Sequence, residues 1–116
     1  MDAADSSRLL DVVAAARART AAQVAALERS VAAIMEGAEL TSTDDEHDPE
    51  GATIAYERAQ ASALLRQADE DLGRLADIAA RLAAGSAIGC DACGEEIGLE
   101  RLLALPTARA CIRCAS

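Results

Sequence analysis

The residues best suited to chemistry are four cysteines gathered near the end of the sequence. They form two pairs, Cys90 with Cys93 and Cys111 with Cys114, and seventeen residues separate the pairs. Two residues between cysteines let a tight turn aim both sulfur atoms at one point, and four thiolates suit the tetrahedral coordination of Zn²⁺. We therefore expect these four cysteines to hold a structural zinc ion, in a closed site that has no position for a substrate.

Three other uses of the cysteines stay open on the sequence alone: two disulfides, free buried thiols, or a rubredoxin-like iron site. The first residues, MDAADSSRLL, are acidic and lack the basic and then apolar plan of a secretory signal. No apolar run approaches the ~20 residues that a membrane helix needs. We therefore expect a cytoplasmic protein without a membrane span, and in that compartment paired cysteines more often bind metal than form disulfides.

Around the cysteines we predict a small module with little core of its own, so that metal binding supplies most of its folding energy. Gly94 follows the first pair, where the turn must stay uncrowded. A short helix is expected within Leu99–Leu105, with Pro106 just beyond it. The apolar side chains expected to pack around the metal are Ile97, Leu99, Leu102, Leu103 and Ile112.

The rest of the chain is predicted to be mostly helical. Of the 116 residues, 52% are hydrophobic but only 1% are aromatic, and much of the hydrophobic fraction is alanine, the best helix former. Apolar positions recur in steps of three and four, which is typical of a coiled-coil seam. We predict a first helix over Ser7–Leu40, capped by Ser6 or Ser7. Its seam comprises Leu10, Val13, Val24, Leu27, Val31, Ile34 and Ala38, with Arg17 and Thr20 in the weaker positions.

A second helix with the same periodicity follows a polar, acidic stretch at residues 41–51, which we name the acidic tip. Asp48 can cap this helix, Pro49 fits its first position, and Glu50 suits the positive end of the helix dipole. Gly85 marks its end. The predicted seam comprises Ile54, Arg58, Ala61, Leu65, Ala68, Leu72, Leu75, Ala79 and Leu82.

Two helices of similar length with a short link should pack antiparallel. The predicted fold is therefore mostly α: a long antiparallel coiled-coil hairpin over residues 1–85, followed by a small C4 zinc-finger module over residues 86–116, named the finger. Gly73, inside the second helix, costs about 1 kcal/mol relative to Ala and predicts a weak point. The alternative is that the two helices are arms of a larger bundle that needs further partners.

Charge narrows the classes of function. The net charge is −9 and every basic residue is Arg, so the chain is a poor candidate for sequence-specific binding of duplex DNA. An enzyme is also not expected, since the single histidine lies in the acidic tip and no nucleophile is paired with a base. The acidic residues of the tip could cap the helix and solvate a loop, bind a divalent cation, or be presented to a partner.

The finger resembles the DksA/TraR family of bacterial transcription regulators. The family pattern is C-x-x-C-G, then I-G-x-x-R-L-x-A-x-P, then C-x-x-C. The matching positions here are Cys90, Cys93, Gly94, Ile97, Gly98, Arg101, Leu102, Ala104, Pro106, Cys111 and Cys114. The hairpin and an Asp-Pro sequence in the tip extend the resemblance over nearly the whole chain.

The resemblance implies a protein that binds RNA polymerase rather than promoter DNA. In the family the coiled coil enters the secondary channel, and its tip alters open-complex stability, often together with the alarmone ppGpp. The implied contacts are Asp45, Asp48 and Glu50 inside the channel, and Arg101 or Arg109 at its rim. A second hypothesis is a zinc-stabilised coiled-coil adaptor for another protein.

Two features differ from the family pattern. The family tip reads D-x-x-D-x-A; here Asp45 and Asp48 have that spacing, but Glu50 stands in place of the alanine. If Asp48 is matched to the first aspartate instead, the second falls on Gly51. Longer members also continue with a C-terminal helix that helps form an alarmone site. This sequence stops two residues after Cys114, so dependence on ppGpp is left open.

Overall fold

Within the residues that it describes, the computed structural model contains three helices. They are α1 (Ala3–Leu40), α2 (Pro49–Ala83) and α3 (Leu99–Ala104). The residues that the structure describes are 1–40 and 49–115, and for residues 38–40, 49 and 50 the description is limited to the helical backbone. The fold is mostly α, as predicted. None of the helices within the described residues is long and apolar enough to cross a membrane.

Helix α1 begins earlier than the sequence predicts, because a different residue caps it. The Oδ1 atom of Asp2 accepts a hydrogen bond of 2.8 Å from the backbone N–H of Asp5, and Oδ2 of Asp5 lies 3.4 Å from the backbone nitrogen of Asp2. This is a reciprocal capping box, which satisfies two of the free N–H groups at a helix start. The predicted cap at Ser6 or Ser7 is therefore wrong, and both serines lie within the helix.

Both ends of α2 agree with the prediction. The helix begins at Pro49. At its other end Gly85 has a φ of 73°, which favours glycine. The N–H of Gly85 donates to the carbonyl of Leu82 at 3.2 Å, and the N–H of Ser86 donates to the carbonyl of Arg81 at 2.9 Å. These two bonds form a Schellman motif, which satisfies the last carbonyl groups of the helix.

The chain divides into two compact units. The first comprises residues 1–20 and 71–116, and the second comprises residues 21–70. In the first unit, Leu9 and Val13 near the start of α1 share a core cluster with Leu75, Ile78 and Leu82 near the end of α2. Since the start of one helix packs with the end of the other, the two helices run antiparallel there. The predicted division at residue 85 follows the type of element, whereas the compact units group the finger with the helix ends.

The seam of α1 differs from the prediction in its first turns. Leu9 and Ala16 are buried, whereas Leu10 is half-buried and Arg17 is exposed. Leu10 still packs against the core cluster, but the buried positions lie one residue earlier than predicted, and the prediction of Arg17 in the seam is wrong. An alanine at the contact lets the neighbouring guanidinium stay in water, which avoids burying an unpaired charge. Further along α1, the predicted seam residues Val24, Leu27, Val31 and Ile34 are half-buried.

The seam of α2 is confirmed in its heptad spacing. The buried members Ala61, Ala68, Leu75 and Leu82 recur every seven residues. Among the described side chains of residues 21–70, only those of Ala61 and Ala68 are buried. A methyl group removes little area from water, so the second unit gains little hydrophobic stabilisation from each contact.

Candidate metal centre

The first cysteine pair lies on a turn that the backbone holds closed. The N–H of Gly94 donates to the carbonyl of Cys90 at 2.9 Å, and the N–H of Cys90 donates to the carbonyl of Glu95 at 2.7 Å. Gly94 has a φ of 78°, so the turn requires the backbone freedom of glycine, as the sequence predicted. An isolated antiparallel bridge between Gly89 and Glu96 closes the base of this turn.

The second cysteine pair lies on a similar turn. The N–H groups of Cys114 and Ala115 both donate to the carbonyl of Cys111, at 3.0 and 2.9 Å. Helix α3 lies between the two turns and confirms the short helix predicted there. The N–H of Leu105 donates to the carbonyl of Arg101 at 2.7 Å and ends this helix just before Pro106.

The four sulfur atoms converge on one point. All four Sγ atoms lie within 4.8 Å of one another, and those of Cys93 and Cys111 are 3.8 Å apart. Zinc–sulfur bonds of about 2.3 Å in a tetrahedron place two sulfurs about 3.8 Å apart. A disulfide would need about 2.05 Å, so this separation fits metal ligands and not a covalent pair.

The electrostatics of the thiols also fit a divalent cation. Backbone N–H groups, first that of Cys111 and then that of Cys93, lower the pKa of Cys90 to about 6. The neighbouring side chains of Cys111, Cys93 and Cys90 raise the pKa of Cys114 to about 12. Without a cation, one thiol therefore ionises readily while another keeps its proton. A bound Zn²⁺ supplies the positive charge that lets all four become thiolates.

The cysteines belong to a larger core than the sequence predicted. Cys90 and Cys111 are buried in the same cluster as Ile97, Leu102 and the helix-end residue Leu75. Leu99 and Leu103 pack against this cluster, as predicted. The expectation of a finger with little core is therefore wrong, because the helix ends supply the other side of the core. Apolar burial contributes to its folding alongside the metal.

Ile112 does not pack around the metal. Its side chain is 79% exposed, so the prediction that it joins the finger core is wrong. Ile112 lies between Cys111 and Cys114 on the second turn. When both cysteines of a turn face one ion, the residues between them lie at the outer end of the turn.

The two arginines predicted at a channel rim both have partners within the finger. The Nε of Arg101 donates to the carbonyl of Ala110 at 2.7 Å, and Arg101 is half-buried. Arg109 is exposed, and its Nη1 lies 3.8 Å from the carboxylate of Asp91, which is also exposed. An exposed pair at this distance contributes little stability. Contact of either arginine with a partner stays a prediction.

The structure does not test the predicted roles of the acidic tip residues. Asp45 and Asp48 lie outside the described residues. Glu50 lies in the first turn of α2, where the description is limited to the backbone.

Sequence reasoning missed one residue that holds the metal module in place. Arg74 of α2 is 5% exposed, and its Nη2 and Nε atoms donate to the carbonyl of Ala108 at 2.7 and 3.2 Å. Its Nη1 lies 3.3 Å from a carboxylate oxygen of Asp77. Burial lowers the pKa of Arg74 from its usual value. The one signal in the sequence is that Arg74 lies one turn before the buried Ile78, on the same face of α2.

Comparisons with known proteins agree with this geometry. Residues 84–116 match the family described as the prokaryotic dksA/traR C4-type zinc finger. A comparison with curated proteins finds no match. The chain is similar to a solved structure, the transcription factor DksA2 from Pseudomonas aeruginosa, at 27% sequence identity. The TM-score is 0.75, and the likeness covers 97% of this chain and 81% of that chain. With the four cysteines arranged as a structural zinc site, residues 84–116 form a zinc finger of the dksA/traR C4 type.

Proposed function

We propose that this protein is a zinc-containing transcription regulator that binds RNA polymerase. Its coiled-coil tip inserts into the secondary channel of the polymerase and thereby modulates transcription initiation. The observation that supports this most is the likeness to a transcription factor over 97% of the chain, which includes both long helices as well as the finger. A likeness confined to the finger would support zinc binding alone.

The composition of each part suits this role. The finger and the helix ends share one core and a four-thiolate site, which makes a stable base for the hairpin. The acidic tip follows α1 in the sequence and extends into the first turn of α2. It carries Asp45, Asp48 and Glu50, whose charge would attract basic channel residues. Arg109, exposed on the finger, would contact the rim.

The protein acts by binding in this proposal, without catalysis. Four cysteine ligands fill the tetrahedral coordination of zinc, so the metal supplies structure and leaves no position for a substrate. Cytoplasmic location follows from the partner, since the polymerase works there. Binding of duplex DNA is not part of the proposal, because the chain carries a net charge of −9.

In vitro transcription with purified polymerase tests the proposal. The variants are Asp48→Ala and a tip replacement, in which residues 41–48, the part of the acidic tip that precedes α2, are replaced by a Gly/Ser stretch of equal length. The control is Asp69→Ala, since Asp69 is an exposed acid of α2 away from the tip. Each reaction is run once without and once with added ppGpp. We expect the wild type and the control to change initiation in at least one of these conditions, and both tip variants to lose that effect. Full activity of the tip replacement would overturn channel insertion.

The adaptor alternative has one supporting observation. Tyr56 and Leu64 are large and exposed on α2, at 69% and 47% of their surface, which gives another protein apolar surface to contact. Co-purification from cells separates the two functions. Our proposal expects core polymerase as the main partner and its loss on replacing the tip. Recovery of a different main partner, bound through Tyr56 and Leu64, favours the adaptor.

A further inference from the structure

The segment that leads into the second cysteine pair is held at three consecutive carbonyl groups. The carbonyl of Ala108 accepts from the guanidinium of Arg74, at 2.7 and 3.2 Å. The carbonyl of Arg109 accepts from the backbone N–H of Asp91 at 2.8 Å. The carbonyl of Ala110 accepts from Nε of Arg101 at 2.7 Å. The next residue is the metal ligand Cys111, so its backbone is oriented by α2, by the first cysteine turn and by α3 together.

Arg74 differs from the other two donors because it lies outside the finger. It belongs to α2, 34 residues away from Ala108 in the sequence. Arg74 and Ala108 are both buried. A buried guanidinium is costly unless its N–H groups are paired, so Arg74 and the Ala108 carbonyl hold each other in place.

We propose that Arg74 is a positioning residue for the zinc site. By donating two hydrogen bonds to the Ala108 carbonyl, it orients the second cysteine pair before the metal binds. Residues that orient metal ligands without touching the metal commonly change metal affinity by about 10–100-fold. The charge of Arg74 acts in the same direction, since Zn²⁺ with four thiolates carries a net charge of −2. A fixed cation in the same compact unit favours that state.

The contact also connects the zinc site to the hairpin. Coupling between two sites is reciprocal, so if Arg74 strengthens zinc binding, bound zinc must strengthen the hold of Arg74 on the finger. Arg74 lies one residue before Leu75, which packs with Leu9 of α1 in the shared core. Zinc therefore stabilises the paired helix ends as well as the finger. This inference does not depend on the proposed partner.

Zinc affinity of the full chain tests the proposal. The first variant is Arg74→Met, which keeps an unbranched side chain of similar length but has no hydrogen-bond donors. The second is Arg74→Lys, which keeps the positive charge but lacks the planar guanidinium that donates two hydrogen bonds to one carbonyl. The control is Arg81→Met: Arg81 lies on the same helix and pairs with the same Asp77 at 3.2 Å, but it is exposed. Affinity is measured by competition with a chromophoric chelator. The absorption of the Co²⁺-loaded protein reports the tetrahedral thiolate geometry.

We expect Arg74→Met to bind zinc about 10–100-fold more weakly than the wild type, with a changed Co²⁺ spectrum. Arg74→Lys should recover part of the loss, and Arg81→Met should stay within about twofold of the wild type on the scale of an exposed ion pair. Equal affinity of Arg74→Met and Arg81→Met would overturn the proposal.

A second measurement uses the wild type and does not depend on the folding of a variant. Hydrogen exchange of the backbone amides of residues 71–83 is compared with and without zinc. We expect faster exchange there when zinc is removed, and little change at residues 21–37 of α1, which belong to the other compact unit. Unchanged exchange at residues 71–83 would show that zinc does not stabilise the end of α2. The proposed coupling between zinc binding and the helix ends would then be rejected.

Discussion

Asp2 and Asp5 cap each other at the start of α1. The carboxylate of Asp2 accepts from the N–H of Asp5 at 2.8 Å, and the carboxylate of Asp5 is 3.4 Å from the backbone nitrogen of Asp2. Leu9, one turn after Asp5, is fully buried in the core that the helices share with the finger. The cap therefore orders the helix turn that leads directly into this core.

Replacing Asp2 should destabilise the protein. We expect Asp2→Ala to lower the free energy of unfolding by about 1 kcal/mol, because the N–H of Asp5 loses its acceptor at the helix start. Ser7→Ala should be nearly neutral, since Ser7 lies inside the helix and is exposed. Urea unfolding of the zinc-loaded protein measures both changes. A larger loss for Ser7→Ala than for Asp2→Ala would contradict this description of the cap.

The same substitution at two glycines of the first compact unit should have opposite effects. Gly73 lies inside α2 and is exposed, and a Cβ atom added there meets nothing within 4 Å. We expect Gly73→Ala to stabilise the protein by about 1 kcal/mol, because alanine loses less backbone entropy in a helix. Thermal unfolding of the zinc-loaded chain measures the gain.

Gly85→Ala is the matched control. A Cβ atom there also meets nothing within 4 Å, but the φ of Gly85 is 73°. We expect a loss of about 1–2 kcal/mol, since alanine is strained in the left-handed region. If both substitutions shifted the melting temperature in the same direction, backbone conformation would not be the deciding factor.

The sequence predicts what is local or periodic. The spacing of the cysteines predicted the metal site, because two residues between ligands constrain a turn regardless of the rest of the fold. The heptads of α2 predicted its seam, because a helix repeats its face every seven residues. Pro49 and Gly85 predicted the ends of α2, because their own backbone preferences determine those positions.

What the sequence did not predict depends on distant neighbours. Leu9 and Leu10 are adjacent and chemically identical, so the partner helix alone decides which one is buried. The burial of Arg74 depends on the carbonyl group of Ala108, which lies 34 residues away in the sequence. The residues around Arg74 in the sequence do not indicate this partner. Isoleucine usually lies in a core, but the turn between two metal ligands exposes Ile112.

Substitutions at two apolar residues of the finger should change the free energy of unfolding by very different amounts. We expect Ile112→Ser to leave stability within about 0.5 kcal/mol of the wild type, because its side chain is already in water. Leu102→Ala should cost about 2–5 kcal/mol, because Leu102 is 0% exposed and its loss leaves a cavity. Urea unfolding at saturating zinc compares them. A large loss for Ile112→Ser would mean that this side chain packs in the finger.

Zinc binding should weaken as the pH falls. Zinc needs all four thiolates, so protons compete with the metal. Backbone N–H donors, that of Cys111 first, lower the pKa of Cys90 to about 6, so this ligand is already ionised at neutral pH and gains a proton only below about pH 6. The adjacent thiols, that of Cys111 first, raise the pKa of Cys114 to about 12, so this ligand must release a proton throughout the range.

Affinity should therefore fall steadily from pH 8 and more steeply below about pH 6, where Cys90 also takes up a proton. The sign follows from the depressed pKa of Cys90: its thiolate, which is the form that binds zinc, is present above about pH 6 and is lost as the pH falls through that value. Chelator competition at a series of pH values measures the affinity. Circular dichroism of the zinc-free chain at each pH serves as the control that acid has not unfolded the helices. An affinity that stays constant between pH 8 and pH 5 would contradict coordination by four thiolates.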